Sequence, residues 1–219
     1  MRKEQFAIGE FYHVYNRGVN KRSVVTEQYD SDRFLQSMIL FNTLEPTGGI
    51  FENSFRKKSV TDKPTEIKPL VNIVCYCLNP NHFHFLLEEV NEGGISKYLK
   101  RLIGGYTRFF NEKYKRSGAL FEGAFKVRHI ENNEYLLRVS AYINANDKIH
   151  QLSDSVTKLV RSSFDEFVLP DFGSGICEKS IILDQFDSQA EYKDYVEALI
   201  PEMIAIKMDA KEAEDLWHD

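Results

Sequence analysis

Two histidines separated by a single residue, His82 and His84, are the side chains of this sequence best suited to chemistry. They begin the run HFHFLLE, a short apolar segment that predicts a β-strand. Side chains two apart on a strand point to the same face, so both imidazoles are expected on one face and Phe83 and Phe85 on the other. Two neutral imidazoles provide half of a site for Mg²⁺, Mn²⁺ or Zn²⁺, and neighbouring oxygens complete the shell. Paired strand histidines that only make ordinary hydrogen bonds are the other interpretation.

The elements that would position these histidines follow from hydrophobic periodicity. Strands are predicted at 11–16 (FYHVYN), 70–78 (LVNIVCYCL), 82–88 and within 117–130, and helices at 32–43, 95–114, 131–145 and 189–199. The stretch 45–69, with its prolines and glycines among polar residues, is predicted to be an irregular insertion. This order predicts an α+β fold, in which helices pack on one face of an antiparallel sheet.

Length and composition limit the classes of protein that this sequence can represent. The 219 residues suit one domain with or without a tail, and no apolar run approaches the ~20 residues of a membrane helix, so a cytoplasmic protein is expected. Cys75, Cys77 and Cys177 are expected to be reduced. The net charge of −5 hides an asymmetry, because 93–149 carries 11 Lys/Arg against 5 Asp/Glu and 150–219 carries 6 against 16. A basic middle segment is typical either of a solvated helix face or of a phosphate-binding surface.

The wider motif LNPNHFHFLL resembles the single-tyrosine HUH transposases, of the insertion-sequence-200-like family and its REP-associated branch. Residues 80–87 (PNHFHFLL) contain the family pattern Pro-Asn-His-hydrophobic-His-hydrophobic-Leu. The segments YHVYNRG, SGALFEGAFK, AYINAN and SSFDEFV are similar to further family segments, so the likeness covers about 10–170. It implies a ferredoxin-like HUH nuclease fold over 1–149, interrupted by the insertion at 45–69, and leaves 150–219 as an acidic extension.

In that family a tyrosine on a late helix attacks single-stranded DNA and forms a 5′-phosphotyrosine bond. The matching residue is Tyr142, and Asn146 lies one helical turn later, on the same helix face. The resemblance implies that His82, His84 and Asn146 hold Mg²⁺ or Mn²⁺, which compensates for a phenol whose usual pKa of ~10 makes it a weak nucleophile. Tyr135 shares the helix face, but the residue four positions after it is Val139, which cannot ligate a metal.

The basic surplus then predicts a track for DNA phosphates. Its members are Lys97, Lys100, Arg101, Arg108, Lys115, Arg116, Lys126 and Arg128. The expected partner is single-stranded DNA beside a hairpin. The family contains monomers and homodimers, so the resemblance leaves the oligomeric state open.

The main hypothesis is therefore a metal-dependent DNA strand transferase. Two alternatives remain at this stage. One is a metal-dependent hydrolase in which His82 and His84 activate water and Tyr142 is structural. The other is a domesticated module that binds hairpin nucleic acid without cleaving it.

Overall fold

The computed structural model describes residues 5–45, 68–170, 172 and 175–216. The strands in this part of the chain are β1 (Phe11–Arg17), β2 (Val71–Leu78), β3 (His82–Glu89), β4 (Lys126–His129) and β5 (Arg161–Ser162). The helices are α1 (Gln28–Phe41), α2 (Gly94–Lys113), α3 (Asn133–Asn144), α4 (Asn146–Ile149), α5 (Asp154–Thr157), α6 (Phe164–Val168), α7 (Ser180–Leu183) and α8 (Gln189–Leu216). Nearly all of the predicted insertion at 45–69 lies outside the described residues.

The strands form one antiparallel sheet in the order β4-β1-β3-β2-β5. β3 is central, and its register with β1 sets Tyr15 opposite His84 and Arg17 opposite His82. Because directly paired residues share a face of the sheet, these four side chains belong to the same face. The predicted α+β class with an antiparallel sheet is confirmed.

One face of the sheet is covered by α1 and α2. Phe34 of α1 lies against the rings of Phe83 and Phe85, which β3 turns towards this face as its alternation predicts. The two helices pack closely at Gly105, where an added Cβ would lie 2.6 Å from the Phe41 ring. The aromatic side chains of β3 therefore belong to a buried core on the side away from the histidines.

The opposite face is covered by α3 and α8, and here the structure differs from the sequence prediction, which placed the helices on one face. Val74, Cys75 and Leu86 form a second core with Val139 of α3 and Val196 of α8. The central strands carry apolar residues on both faces, so each face needs a cover. Because α8 shares this core, residues beyond 149 pack directly on the segment that carries Tyr142.

The boundaries of two elements differ most from the prediction. The strand predicted within 117–130 is limited to β4, because Gly118 and Gly123 adopt left-handed φ values of 83° and 60° and interrupt extended backbone. The last helix continues to Leu216, with Pro201 inside it, instead of ending at 199. No helix in the described ranges combines the length and the apolar character that crossing a membrane requires.

Candidate active site

The imidazoles of His82 and His84 lie side by side on the sheet face that α3 covers. Their ring centroids are 5.1 Å apart and the ring planes are almost perpendicular. Tyr142 of α3 approaches from above, with its ring 5.4 Å from that of His84. The strand and the helix thus bring the two histidines and the predicted nucleophile into one cluster.

The hydrogen bonds of His82 define which of its ring nitrogens has a lone pair available to a metal ion. Nδ1 lies 2.6 Å from Oδ1 of Asn81, an acceptor, so Nδ1 carries the proton of a neutral ring. Nε2 is then the lone-pair nitrogen, and it lies 3.2 Å from Oδ1 of Asn146 and 3.0 Å from Nδ2 of Asn79. Burial lowers the pKa of His82, which keeps the ring neutral near pH 7.

His84 is paired with a histidine of the neighbouring strand. Its Nδ1 lies 2.8 Å from Nε2 of His13, so one of the two rings donates to the other. Burial lowers the pKa of His13 to about 4 and holds that of His84 well below its ordinary value. Both rings are therefore neutral at pH 7, and a lone pair on Nε2 of His84 requires that its Nδ1–H donates to His13.

Tyr142 and Asn146 lie on two consecutive helices. α3 ends at Asn144 and α4 begins at Asn146, with Ala145 between them, yet the side chains still reach the same cluster. Burial raises the pKa of the Tyr142 phenol, and the Asn146 side chain acts in the opposite direction. The phenol is therefore protonated near neutral pH, so its attack on a phosphate needs help to lose the proton.

An open cavity of about 300 Å³ begins at this cluster. Its lining includes His82, His84, Tyr142 and His150 of the cluster, together with charged residues. The other lining residues are Tyr15, Asn16, Arg17, Lys21, Asn81, Glu122 and Lys126. A second cavity, which Arg128, Tyr135 and Lys207 help to line, shares His84, Tyr142 and His150 with the first. The cluster is thus accessible from outside.

Comparison with known proteins finds a match for the segment between the end of α1 and the start of α4. Residues 51–146 match the family model described as Transposase IS200 like. The matched range contains His82, His84, Tyr142 and Asn146. No curated protein gives a significant sequence match.

Solved structures add two similarities. A REP-associated tyrosine transposase bound to a REP hairpin is 15% identical, with a TM-score of 0.49 over 81% of this chain and 93% of that chain. A putative transposase from Deinococcus radiodurans R1 is 14% identical, with a TM-score of 0.37 over 65% of this chain and 95% of that chain.

The donor atoms of the cluster suit a divalent cation. Ligands about 2.1 Å from an octahedral ion are separated by about 3.0 Å at right angles. The 3.2 Å between His82 Nε2 and Asn146 Oδ1 fits that separation. Within the described ranges, no three His, Cys, Asp or Glu side chains form a metal-binding group. An ion here would depend on His82, His84 and the amide oxygen of Asn146.

Three residues of the cluster did not emerge from the sequence as site residues. His150 packs against His82 with ring centroids 4.8 Å apart, and its position eight residues after Tyr142 was a helical-spacing signal that could have found it. The place of His13 on the first strand, near the expected centre of the sheet, left open whether it supports a metal ligand or is an ordinary strand histidine, and the structure pairs it with His84. Asn79 had no signal, because its contact with Asn146 joins residues 67 positions apart.

The residues of the predicted phosphate track are divided between the two faces of the sheet. Lys126 lies opposite Tyr15 and Arg128 opposite His13, so both belong to the face of the cluster. The other six, Lys97, Lys100, Arg101, Arg108, Lys115 and Arg116, lie on α2 or directly after it. α2 covers the opposite face and turns its polar side away from the sheet, so the eight residues do not share one face, and their binding of DNA stays a prediction. Arg17 and Lys21 supply positive charge at the cavity instead.

Several of the cations on α2 already have partners. Lys97 donates to the carbonyl of Leu44 and Arg101 to that of Thr43, at 3.2 and 2.6 Å. Arg108 forms an ion pair with Glu112 on the same helix. These contacts give the basic residues of α2 a local structural role.

Proposed function

We propose that this protein is a transposase that cuts and rejoins single-stranded DNA near a hairpin through a 5′-phosphotyrosine intermediate. The observation that carries the proposal is that Tyr142, His82 and His84 line one open cavity, with the buried side chain of Asn146 in contact with His82. A nucleophile and a set of metal-ligating atoms at the same opening are the components that phosphoryl transfer needs.

In the proposed reaction, Tyr142 Oη forms a bond to phosphorus and the bond from phosphorus to the 3′-oxygen breaks. The phenol loses its proton, and the departing 3′-oxygen gains one to become a 3′-hydroxyl. The phosphotyrosine retains the bond energy of the phosphodiester, so a second 3′-hydroxyl can reverse the step without ATP.

The cation of this proposal is Mg²⁺ or Mn²⁺, held by His82 Nε2, His84 Nε2 and Asn146 Oδ1. When bound, such an ion polarises the scissile phosphate and offsets the charge that develops on it. The protein contributes orientation: Asn81 holds His82, His13 holds His84, and the short turn at Ala145 fixes Asn146 relative to Tyr142. Such outer contacts fix the orientation and the tautomer of metal-ligating histidines.

The cations near the cavity suit a DNA strand. Lys21 and Lys126 line the opening, and Arg128 lines the adjoining cavity, so phosphates on either side of Tyr142 would meet positive charge. Arg17 is partly neutralised by its ion pair with Glu122. We place the reaction in the cytoplasm, and a homodimer stays a prediction from the family resemblance.

The test is incubation of the full chain with end-labelled hairpin-flanked single-stranded DNA and Mg²⁺ or Mn²⁺, followed by denaturing electrophoresis. We expect a covalent protein–DNA adduct that Tyr142→Phe abolishes and chelation prevents. Tyr135→Phe, two turns earlier on the same helix, is the matched control and should retain the adduct.

Each other result selects a different function. An adduct that survives Tyr142→Phe would assign the nucleophile elsewhere. Metal-dependent cleavage without any adduct would support the hydrolase. Hairpin binding without cleavage, with or without metal, would support the domesticated binding module.

A further inference from the structure

Asn79 contacts His82 and Asn146 but takes no part in the proposed reaction. It lies in the turn between β2 and β3 and is only 1% exposed. Its Nδ2 lies 2.5 Å from Asn146 Oδ1 and 3.0 Å from His82 Nε2, and those two atoms lie 3.2 Å from each other. The Asn79 amide therefore donates towards two of the atoms that would hold the metal.

This donor resolves an unfavourable contact. Because His82 Nδ1 donates to Asn81, Nε2 of His82 presents a lone pair, and Asn146 Oδ1 presents lone pairs to it. Two facing acceptors repel unless a hydrogen-bond donor or a cation lies near both. The N–H groups of Asn79 provide that donor.

The side chain of Asn146 has a reason to turn the other way. Its Nδ2 is buried and has no hydrogen-bond partner in the described part of the chain. Rotation of the amide by about 180° would direct this nitrogen towards the lone pair of His82, which would satisfy both groups. That orientation would remove the oxygen ligand, because an amide nitrogen has no lone pair available to a metal ion.

We propose that Asn79 is a positioning residue that holds the oxygen of Asn146, and not its nitrogen, towards the metal site. This inference rests on the proposed function. Asn79 is itself anchored, since its backbone N–H donates to the carbonyl of His82 at 2.8 Å and its Oδ1 lies 3.8 Å from the thiol of Cys77.

Metal entry would change only one of the two contacts of Asn79. His82 Nε2 has a single lone pair, so an ion bound there displaces the Asn79 N–H. Asn146 Oδ1 has two lone pairs and can bind an ion while it still accepts from Asn79. Asn79 thus remains a partner of Asn146 in the loaded site.

The test measures Mn²⁺ binding to the DNA-free full chain by calorimetry and electron paramagnetic resonance. Asn79→Leu keeps a similar size and removes the donor, and we expect Mn²⁺ affinity to fall about fivefold to tenfold, as for the loss of one hydrogen bond. In an Asn146→Asp background the same change should not weaken binding, because both oxygens of a carboxylate can ligate and orientation no longer matters. Asn42→Leu, far from the site, is the matched control and should change affinity less than about twofold.

An equal loss of affinity in both backgrounds, or no loss in the native background, would overturn the role of Asn79. Absence of Mn²⁺ binding by the native chain would instead refute the metal of the proposed function. If Asn79→Leu does not fold, judged by circular dichroism, the native chain supplies the answer by nuclear magnetic resonance. Addition of Mg²⁺ should then shift the side-chain amide resonance of Asn79, and an unmoved resonance would overturn the inference.

Discussion

Acidification should destabilise the metal-free protein well before its carboxylates titrate, because buried histidines line the site. His13 illustrates the effect: burial, with a smaller contribution from the charge of Arg128, lowers its pKa from 6.5 to about 4. Since the folded-state value is the lower one, the unfolded chain binds the proton first as pH falls. The contribution of neutral His13 is therefore complete above pH ~7 and is lost progressively towards pH ~4.

The size of the effect follows from those two values. Between pH 7.5 and 5.0 the linkage relation gives a loss of about 2 kcal/mol in the free energy of unfolding from His13 alone. Burial also lowers the pKa values of His82, His84 and His150, so these residues add losses of the same sign. The native chain should thus lose more than about 2 kcal/mol over this interval.

The assay is urea unfolding followed by far-ultraviolet circular dichroism in EDTA at pH 8.5, 7.5 and 5.0. His13→Gln retains an acceptor for His84 but does not titrate, so its loss between pH 7.5 and 5.0 should be smaller than that of the native chain by about 2 kcal/mol. His13 contributes no change between pH 8.5 and 7.5, so the native chain and His13→Gln should respond equally in that interval, which serves as the internal control. If His13→Gln loses as much stability as the native chain on acidification, the neutral buried pair is not the cause.

Two further predictions use matched variants of neighbouring features. Lys126→Ala and Arg128→Ala should each weaken binding of single-stranded DNA and reduce the slope of log affinity against log salt by about 0.7. Lys100→Ala, at an exposed position of α2, is the control and should change neither quantity. Equal effects of the three substitutions would support the single track that the sequence suggested. In α2, the methyl group added by Gly104→Ala would have no atom within 4 Å, so this change should raise the free energy of unfolding by about 0.5–1 kcal/mol. The methyl group added by Gly105→Ala would overlap the buried ring of Phe41, so that change should lower the free energy of unfolding by about 1–3 kcal/mol. Thermal and urea unfolding would check this opposite response of adjacent glycines, and a shared sign would contradict the packing described for α1 and α2.

The sequence alone predicted which side chains share a face within a single strand or helix. Strand alternation correctly predicted that His82 and His84 share a face while Phe83 and Phe85 take the other, and helical spacing correctly predicted that Tyr142 and Asn146 reach one cluster. These features depend on backbone dihedral angles within one element, which residue type and spacing specify.

The relations between elements came only from the folded structure. Pairing of β1 with β3 brings His13 to His84, and packing of α4 against the turn after β2 brings Asn146 to Asn79. Coverage of both sheet faces separates the basic residues of α2 from Lys126 and Arg128. Such contacts join positions far apart in the chain. Their geometry depends on how the apolar faces of several helices and strands are buried against one another, and the pattern of residues within one element does not determine that packing.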